Sequence, residues 1–188
     1  MPLREGGYEK MEELSLPARL DEDKHFQSHW YRHVGTLAWG LSVLDAGAGV
    51  GYGLDILRAR GAVGVRGFDL LPAGTGVEKA TINDYASESF DWVLAIDVIE
   101  HVLEDVAFYG ELLRVARRAI FISTPNWNVS RAKNRFHVRE YAPAELRALI
   151  GLRTHQLWMS DVRCVVHPRP RELEDDEKCD NFGVLISK

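Results

Sequence analysis

Short apolar runs and amphipathic stretches alternate through most of this chain. Residues 41–46, 63–68, 92–96 and 119–122 are rich in branched side chains, and each run ends near a glycine or a polar residue. That pattern predicts strands buried on both faces of a parallel sheet. The stretches between them predict helices. Residues 51–60 stop at Gly61, a favourable C-terminal position. Residues 104–117 set Val106, Leu112, Leu113 and Val115 among charges, with Arg114, Arg117 and Arg118 at the end where the helix dipole favours cations. Residues 142–150 carry Pro143 in the first turn and Gly151 at the end. Strand–helix alternation of this kind is the signature of βαβ units.

Both ends depart from that rhythm. Residues 1–20 are polar and read as a loose arm, leaving 21–188 as the domain. Residues 22–39, rich in His and aromatics, predict a helix beside a pocket. In the tail, residues 156–159 and 182–186 predict two antiparallel strands joined by the acidic, Pro-containing stretch 168–180. A length of 188 residues favours a single core. No apolar run reaches the roughly 18–20 residues that span a membrane, and the N-terminus lacks the apolar core of a secretory signal. Cys164 and Cys179 form no C-x-x-C pair and stand near no His cluster at ligand spacing, so free thiols in a reducing cytoplasm and no metal site are expected. A net charge of −5 weighs against a nucleic-acid backbone as the main partner.

The segment from Val43 to Gly53, V-L-D-A-G-A-G-V-G-Y-G, runs a buried strand into alternating glycines and then into a helix. Glycine permits the sharp turn and lets a ligand approach without meeting a Cβ. The helix start then offers unpaired N–H groups. A dinucleotide fingerprint needs G-x-G-x-x-G or a closing Ala. From Gly47 and Gly49 the closing position is Tyr52, and from Gly49 and Gly51 it is Leu54, so neither frame fits. Asp45 would also oppose a pyrophosphate. A second acid, Asp69, ends the next strand, where a carboxylate can accept hydrogen bonds from a ribose diol.

The glycine segment resembles the D-x-G-x-G-x-G motif of class I (Rossmann-like) S-adenosylmethionine-dependent methyltransferases. Ser89-Phe90-Asp91-Trp92-Val93, leading to Asp97-Val98-Ile99-Glu100-His101, is similar to that family's fourth-strand signature. Ile122-Ser123-Thr124-Pro125-Asn126 is similar to the end of its fifth strand, and His137-Val138-Arg139-Glu140-Tyr141 to a segment of its small-molecule and glycan members. The resemblance covers about residues 29–150. It implies a single Rossmann-like α/β domain, with a mostly parallel seven-stranded sheet, an antiparallel last strand and helices on both faces. It implies S-adenosylmethionine as cofactor, with Asp45, Gly47, Gly49 and Gly51 at its methionine end. Asp69 would hold the ribose, Leu70 would lie beside the adenine, and Asn83 or Asp84 would face the adenine edge. Asp97 and Val98 would sit under the cofactor. One departure stands out: about ten residues separate Asp69 from a third strand near 80–83, too few for a full crossover helix. The helix there should be one turn or missing, and the adenine side more open.

Methyl transfer to a high-pKa oxygen needs a base, and His101 and His137 are the candidates, each near the expected crevice. Each has a structural alternative: His101 could serve the helix end, and His137 could tether its loop. Glu100 could orient a neighbouring group or belong to a structural pair. Arg131, Lys133, Arg135 and Arg139 could form a basic lid that draws in a carboxylate- or phosphate-bearing acceptor, or a solvated face. Trp30, Tyr31 and Trp127 could wall the acceptor pocket or simply pack. The expected activity is transfer of a methyl group to O or N of a small molecule or sugar. A nucleic-acid methyltransferase of the same fold and a non-catalytic cofactor-binding protein are the alternatives. Within the first, the exocyclic-base subclass is disfavoured because Asp97-Val98-Ile99-Glu100 stands where those enzymes carry an Asn/Asp-Pro-Pro-aromatic run.

Overall fold

The structure is a computed structural model that describes residues 27–131, 134–160, 165–169 and 179–188. The expected arm at 1–20, Lys133, Cys164 and most of the acidic tail stretch lie outside the described residues.

Helix α1 (Ser28–Leu37) leads into β1 (Ser42–Ala46), α2 (Tyr52–Ala59) and β2 (Val63–Asp69). A two-residue β3 (Glu78–Lys79) precedes β4 (Phe90–Ile96), α3 (Asp105–Val115) and β5 (Ala116–Pro125). The short α4 (Trp127–Ser130) and α5 (Pro143–Ile150) follow, then β6 (His155–Ser160), β7 (Val166–Arg169) and β8 (Asn181–Ser187). These strands form one sheet in the order β3-β2-β1-β4-β5-β8-β6-β7. The pairings among β1 to β5 are parallel, and β8 runs antiparallel to both β5 and β6. The α/β class, the parallel half and the antiparallel closing strand agree with expectation. The sheet has eight strands rather than seven, because residues 166–169 add to the outer edge of β6. In sequence those residues merge into a Pro-containing polar stretch with no alternation to mark an edge strand.

Alternate residues of the central strands enter two separate cores. Leu44, Val93, Ala95, Ile120 and Ile122 face one side with Leu112, Leu113 and Val115 of α3 and Leu146 and Ile150 of α5. Val43, Trp92, Leu94 and Phe121 face the other with Trp30, Tyr31 and Val34 of α1 and Leu54 and Leu57 of α2. Burial on both faces is why these runs are continuously apolar. Two boundaries differ from the sequence reading. Helix α3 ends at Val115 and β5 begins without a loop. Arg117 and Arg118 therefore lie on the strand, where both pair with Asp91 of β4. No helix bridges β2 and β3, as the short spacing required. The third strand, however, is residues 78–79, and residues 82–84 form a 3-10 turn closed by Asp84 on Thr81. No helix among the described residues is long and apolar enough to cross a membrane.

Two glycines give opposite expectations for alanine. A Cβ on Gly183 of β8 would lie 2.4 Å from the Trp30 ring and 2.9 Å from Phe121. Gly183→Ala should therefore cost about 1–3 kcal/mol through overpacking. Gly110, inside α3, has open space around the same position, so Gly110→Ala should stabilise by about 0.5–1 kcal/mol. Urea unfolding midpoints of the two variants check the sign; a shift of both in one direction would contradict this packing.

Candidate active site

The carboxyl ends of β1, β2 and β4 meet where the strand order reverses, the usual position of a ligand crevice in an open α/β sheet. The glycine loop lines it. Gly47, Gly49 and Gly51 all have left-handed backbone, with φ of 79°, 54° and 86°. A Cβ on Gly47 would strike Val98 at 2.6 Å, and one on Gly51 would strike Val77 at 2.9 Å, whereas one on Gly49 would meet nothing within 4 Å. The loop is fixed from beneath by β2. Gly47 N and Ala48 N both donate to Phe68 O, and Gly49 N donates to Asp69 Oδ2 at 2.9 Å. Asp69 Oδ1 accepts from Leu71 N at 2.8 Å. A carboxylate oxygen can accept two hydrogen bonds and each here accepts one from a backbone N–H, so Asp69 keeps acceptor capacity while bracing the loop. The 70–77 crossover closes over the same loop: Ala73 N donates to Gly49 O, and a Cβ on Gly74 would lie 1.9 Å from Val50 O. Gly74 and Val77 escaped the sequence reading, although the glycines at 74 and 76 marked a close approach there.

Asp45 is fully buried at the end of β1. Its Oδ2 accepts from Tyr31 Oη at 2.9 Å, while Oδ1 has no hydrogen-bond partner. Burial pushes the carboxyl up to about 7 despite the Tyr31 hydrogen bond, with Asp69 adding to the rise. A buried carboxylate left half satisfied is costly unless a cation joins it. The Tyr31–Asp45 bond ties Tyr31 of α1 to the end of β1, beneath the glycine loop. Trp30 is core, packed on Phe121, with Nε1 donating to Asn181 Oδ1.

The remaining cofactor candidates are dispersed. Leu70 is exposed beside the loop. Asn83 is exposed on its turn, and Asp84 is committed to capping that turn. Val98 packs on Gly47. Asp97 has left-handed backbone (φ 52°), and its Oδ1 accepts from Ser123 Oγ and Asn181 Nδ2. Asn181 lies 84 residues away on the last strand, a contact that no local signal could announce.

The three candidate catalytic residues do converge. Glu100 and His101 lie on the 3-10 turn that follows β4. Val138 N and Arg139 N both donate to Glu100 O, which pins the segment bearing His137 against that turn. The rings of His101 and His137 meet edge to face, with centroids 4.9 Å apart. His101 Nδ1 bonds Phe136 O at 3.1 Å, and His137 Nδ1 bonds Glu140 Oε1 at 2.5 Å. Ser130 Oγ donates to the other oxygen of Glu140. Glu100 is fully buried, and neither of its carboxylate oxygens makes a well-formed hydrogen bond, although the Thr124 hydroxyl and its own backbone N–H lie near enough to favour its charged form. Burial first, and then the neighbouring Asp97 carboxylate, hold its carboxyl well above the usual range. Of the residues expected in a basic lid, Lys133 lies outside the described residues. Arg139 pairs with Asp105 and Glu145, and Arg131 and Arg135 lie over Trp127 and Phe136.

With this geometry in view, the comparisons are direct. Residues 10–164 match the methyltransferase domain family, and the chain belongs to that family. A protein of Mycolicibacterium smegmatis named "Probable S-adenosylmethionine-dependent methyltransferase" is 29% identical over 158 residues, covering 73% of this chain and 62% of that protein. This chain thus spans less than two thirds of that relative's length. Among solved structures, a Thermotoga maritima SAM-dependent methyltransferase, titled a "possible histamine N-methyltransferase", superposes with a TM-score of 0.65 at 14% identity, covering 92% of this chain and 97% of that one. A small RNA methyltransferase gives a TM-score of 0.63 at 15% identity, covering 88% of this chain and 26% of that one. These likenesses show the fold.

S-adenosylmethionine is the cofactor of this family, and the residues here fit it. The molecule carries an ammonium and a sulfonium but no phosphate, which suits an unpartnered buried Asp45 oxygen beside a glycine loop.

The charge on Asp45 sets a pH dependence. Its folded pKa of about 7 lies above the ordinary 3.8, so over that interval the folded chain holds a proton that the unfolded chain has lost. Stability of the ligand-free protein should fall as pH rises from 3.8 through about 7. Asp45→Asn should be the more stable protein at pH 8, and the difference should vanish at pH 3.5. Thermal midpoints across that range test it, and a pH-independent difference would refute the assignment.

Proposed function

We propose that this protein is an S-adenosylmethionine-dependent methyltransferase that methylates O or N of a small-molecule or sugar acceptor. The observation that carries the reading is the buried Asp45 carboxylate, one oxygen unpartnered, at the head of the glycine loop. In this reading Asp45 holds the ammonium of the cofactor. Gly47, Gly49 and Gly51 give room for its methionine portion, and Asp69 accepts from its ribose. The cofactor, when bound, supplies an electrophilic methyl group. The protein holds the acceptor in line and excludes water. Glu100, His101 and His137 stand together after β4 as the place where the acceptor loses its proton. A purely structural cofactor would not call for such a cluster, which speaks for catalysis. The net charge of −5 favours a small acceptor over a nucleic acid.

Isothermal titration should give one S-adenosylmethionine site and no tight NAD site. Asp45→Asn and Asp69→Ala should each weaken cofactor binding about 10- to 100-fold, the usual range for a hydrogen bond to a charged group. Tight NAD binding, or unchanged S-adenosylmethionine affinity in both variants, would reject the proposal. Incubation of the full chain with labelled methyl donor and a cell extract, divided by size and by nuclease treatment, identifies the acceptor class. Label lost to nuclease would replace the small-molecule reading.

A further inference from the structure

We propose that Glu100, His101 and His137 form a binding site for a divalent transition-metal ion. One potential ligand atom from each lies within 4.8 Å of the other two. Two imidazoles and one carboxylate on one side of an ion suit manganese, iron(II), cobalt or zinc better than magnesium or calcium, which prefer all-oxygen surroundings.

The hydrogen bonds around the cluster carry the argument. His101 Nδ1 faces a carbonyl oxygen, Phe136 O, so Nδ1 bears the proton and Nε2 the lone pair. His137 Nδ1 faces the Glu140 carboxylate, and its Nε2 faces Asn134 Nδ2, a donor. The proton of His137 is therefore also on Nδ1, with the lone pair on Nε2. A histidine that gives its second N–H to a carbonyl or a carboxylate is the usual support of a metal ligand. Glu140 is itself buried and held by Ser130 Oγ, so its carboxylate is fixed in place. Glu100 supplies what a structural histidine pair would not need: a fully buried carboxylate met by no cation among the described residues, with neither oxygen in a well-formed hydrogen bond and the Thr124 hydroxyl as its near neighbour. An uncompensated buried carboxylate is among the costliest arrangements in a fold, and a cation between it and two lone pairs removes the cost. Binding displaces the hydrogen bond from Asn134 Nδ2, because the ion takes the His137 lone pair on which that donor now rests.

The catalytic consequence rests on the proposed methyltransferase reading. A bound cation lowers the pKa of an acceptor hydroxyl that coordinates it. The proton passes to water, the acceptor oxygen bonds the methyl carbon, and the carbon–sulfur bond breaks to leave a neutral thioether. His101 and His137 then act as ligands rather than as the base. Metal binding itself does not depend on this chemistry.

The test uses the full chain, free of any tag and stripped with a chelator. Titration with manganese(II), cobalt(II) and zinc(II) should give one site per chain, and magnesium(II) should bind far more weakly. Cobalt(II) should show visible absorption from mixed nitrogen and oxygen ligation. Glu100→Gln, His101→Gln and His137→Gln, each checked for native circular dichroism, should lose the site and the cobalt bands. Glu140→Gln, a positioning change, should weaken binding about 10- to 100-fold, the range for lost second-layer support. Asp45→Asn should lose cofactor affinity and keep the metal, so that failure of the cofactor reading and failure of this one are distinguishable. Absence of a stoichiometric site, or undiminished affinity in the folded Glu100→Gln and His137→Gln chains, would overturn the inference.

Discussion

Two carboxylates buried without full compensation govern this molecule. Asp45 closes β1, and Glu100 follows β4, its immediate neighbour in the sheet. Taking an ionised carboxylate out of water costs several kcal/mol unless a cation or a full set of donors meets it. Among the described residues, Asp45 has a single donor, Tyr31, and Glu100 has no well-formed one, with the Thr124 hydroxyl nearby. Each lies near the carboxyl edge of the sheet where the strand order reverses, and each invites positive charge. The surrounding structure keeps both acids in place in spite of that cost.

The means of keeping them differ. Around Asp45 the backbone does the holding. Three left-handed glycines thread between Val98 and Val77, and β2 grips the loop through Phe68 O and Asp69. Asp69 therefore serves two ends, since the carboxylate proposed for the ribose is also the brace under Gly49. Around Glu100 backbone and side chains share the holding. The Glu100 carbonyl receives two backbone N–H groups from the segment that carries His137, and Glu140 orients that histidine. The loop site is thus stiff in its main chain, and the histidine site is stiff through a hydrogen-bonded network. Strained or uncompensated groups of this kind persist where the rest of the fold over-determines them.

Asp97 links the two regions. Its left-handed backbone turns the chain at the end of β4, and its carboxylate bonds Ser123 and Asn181. Asn181 in turn accepts from Trp30. The chain Trp30–Asn181–Asp97–Ser123 joins α1, β8 and β5 behind the crevice. Asp97 also raises the carboxyl of Glu100 by repulsion. Closing the sheet with β8 is therefore tied to the electrostatics of the site as well as to the core.

Local sequence decided a good deal. The apolar runs fixed which strands are buried on both faces, because only continuous hydrophobicity survives there. The glycine spacing marked the left-handed turn after β1, because such backbone admits little else. The short interval after Asp69 ruled out a crossover helix. Residues distant in the chain belong to the tertiary structure alone. Linear spacing could not bring His137 to His101 across 36 positions, nor Asn181 to Asp97, nor Tyr31 to Asp45. It could not show that Arg139 is consumed by Asp105 and Glu145, or that Asp84 caps its own turn. Those contacts depend on how the strands stack side by side. A side chain's partners follow from sheet order and register, which periodicity along one strand does not encode.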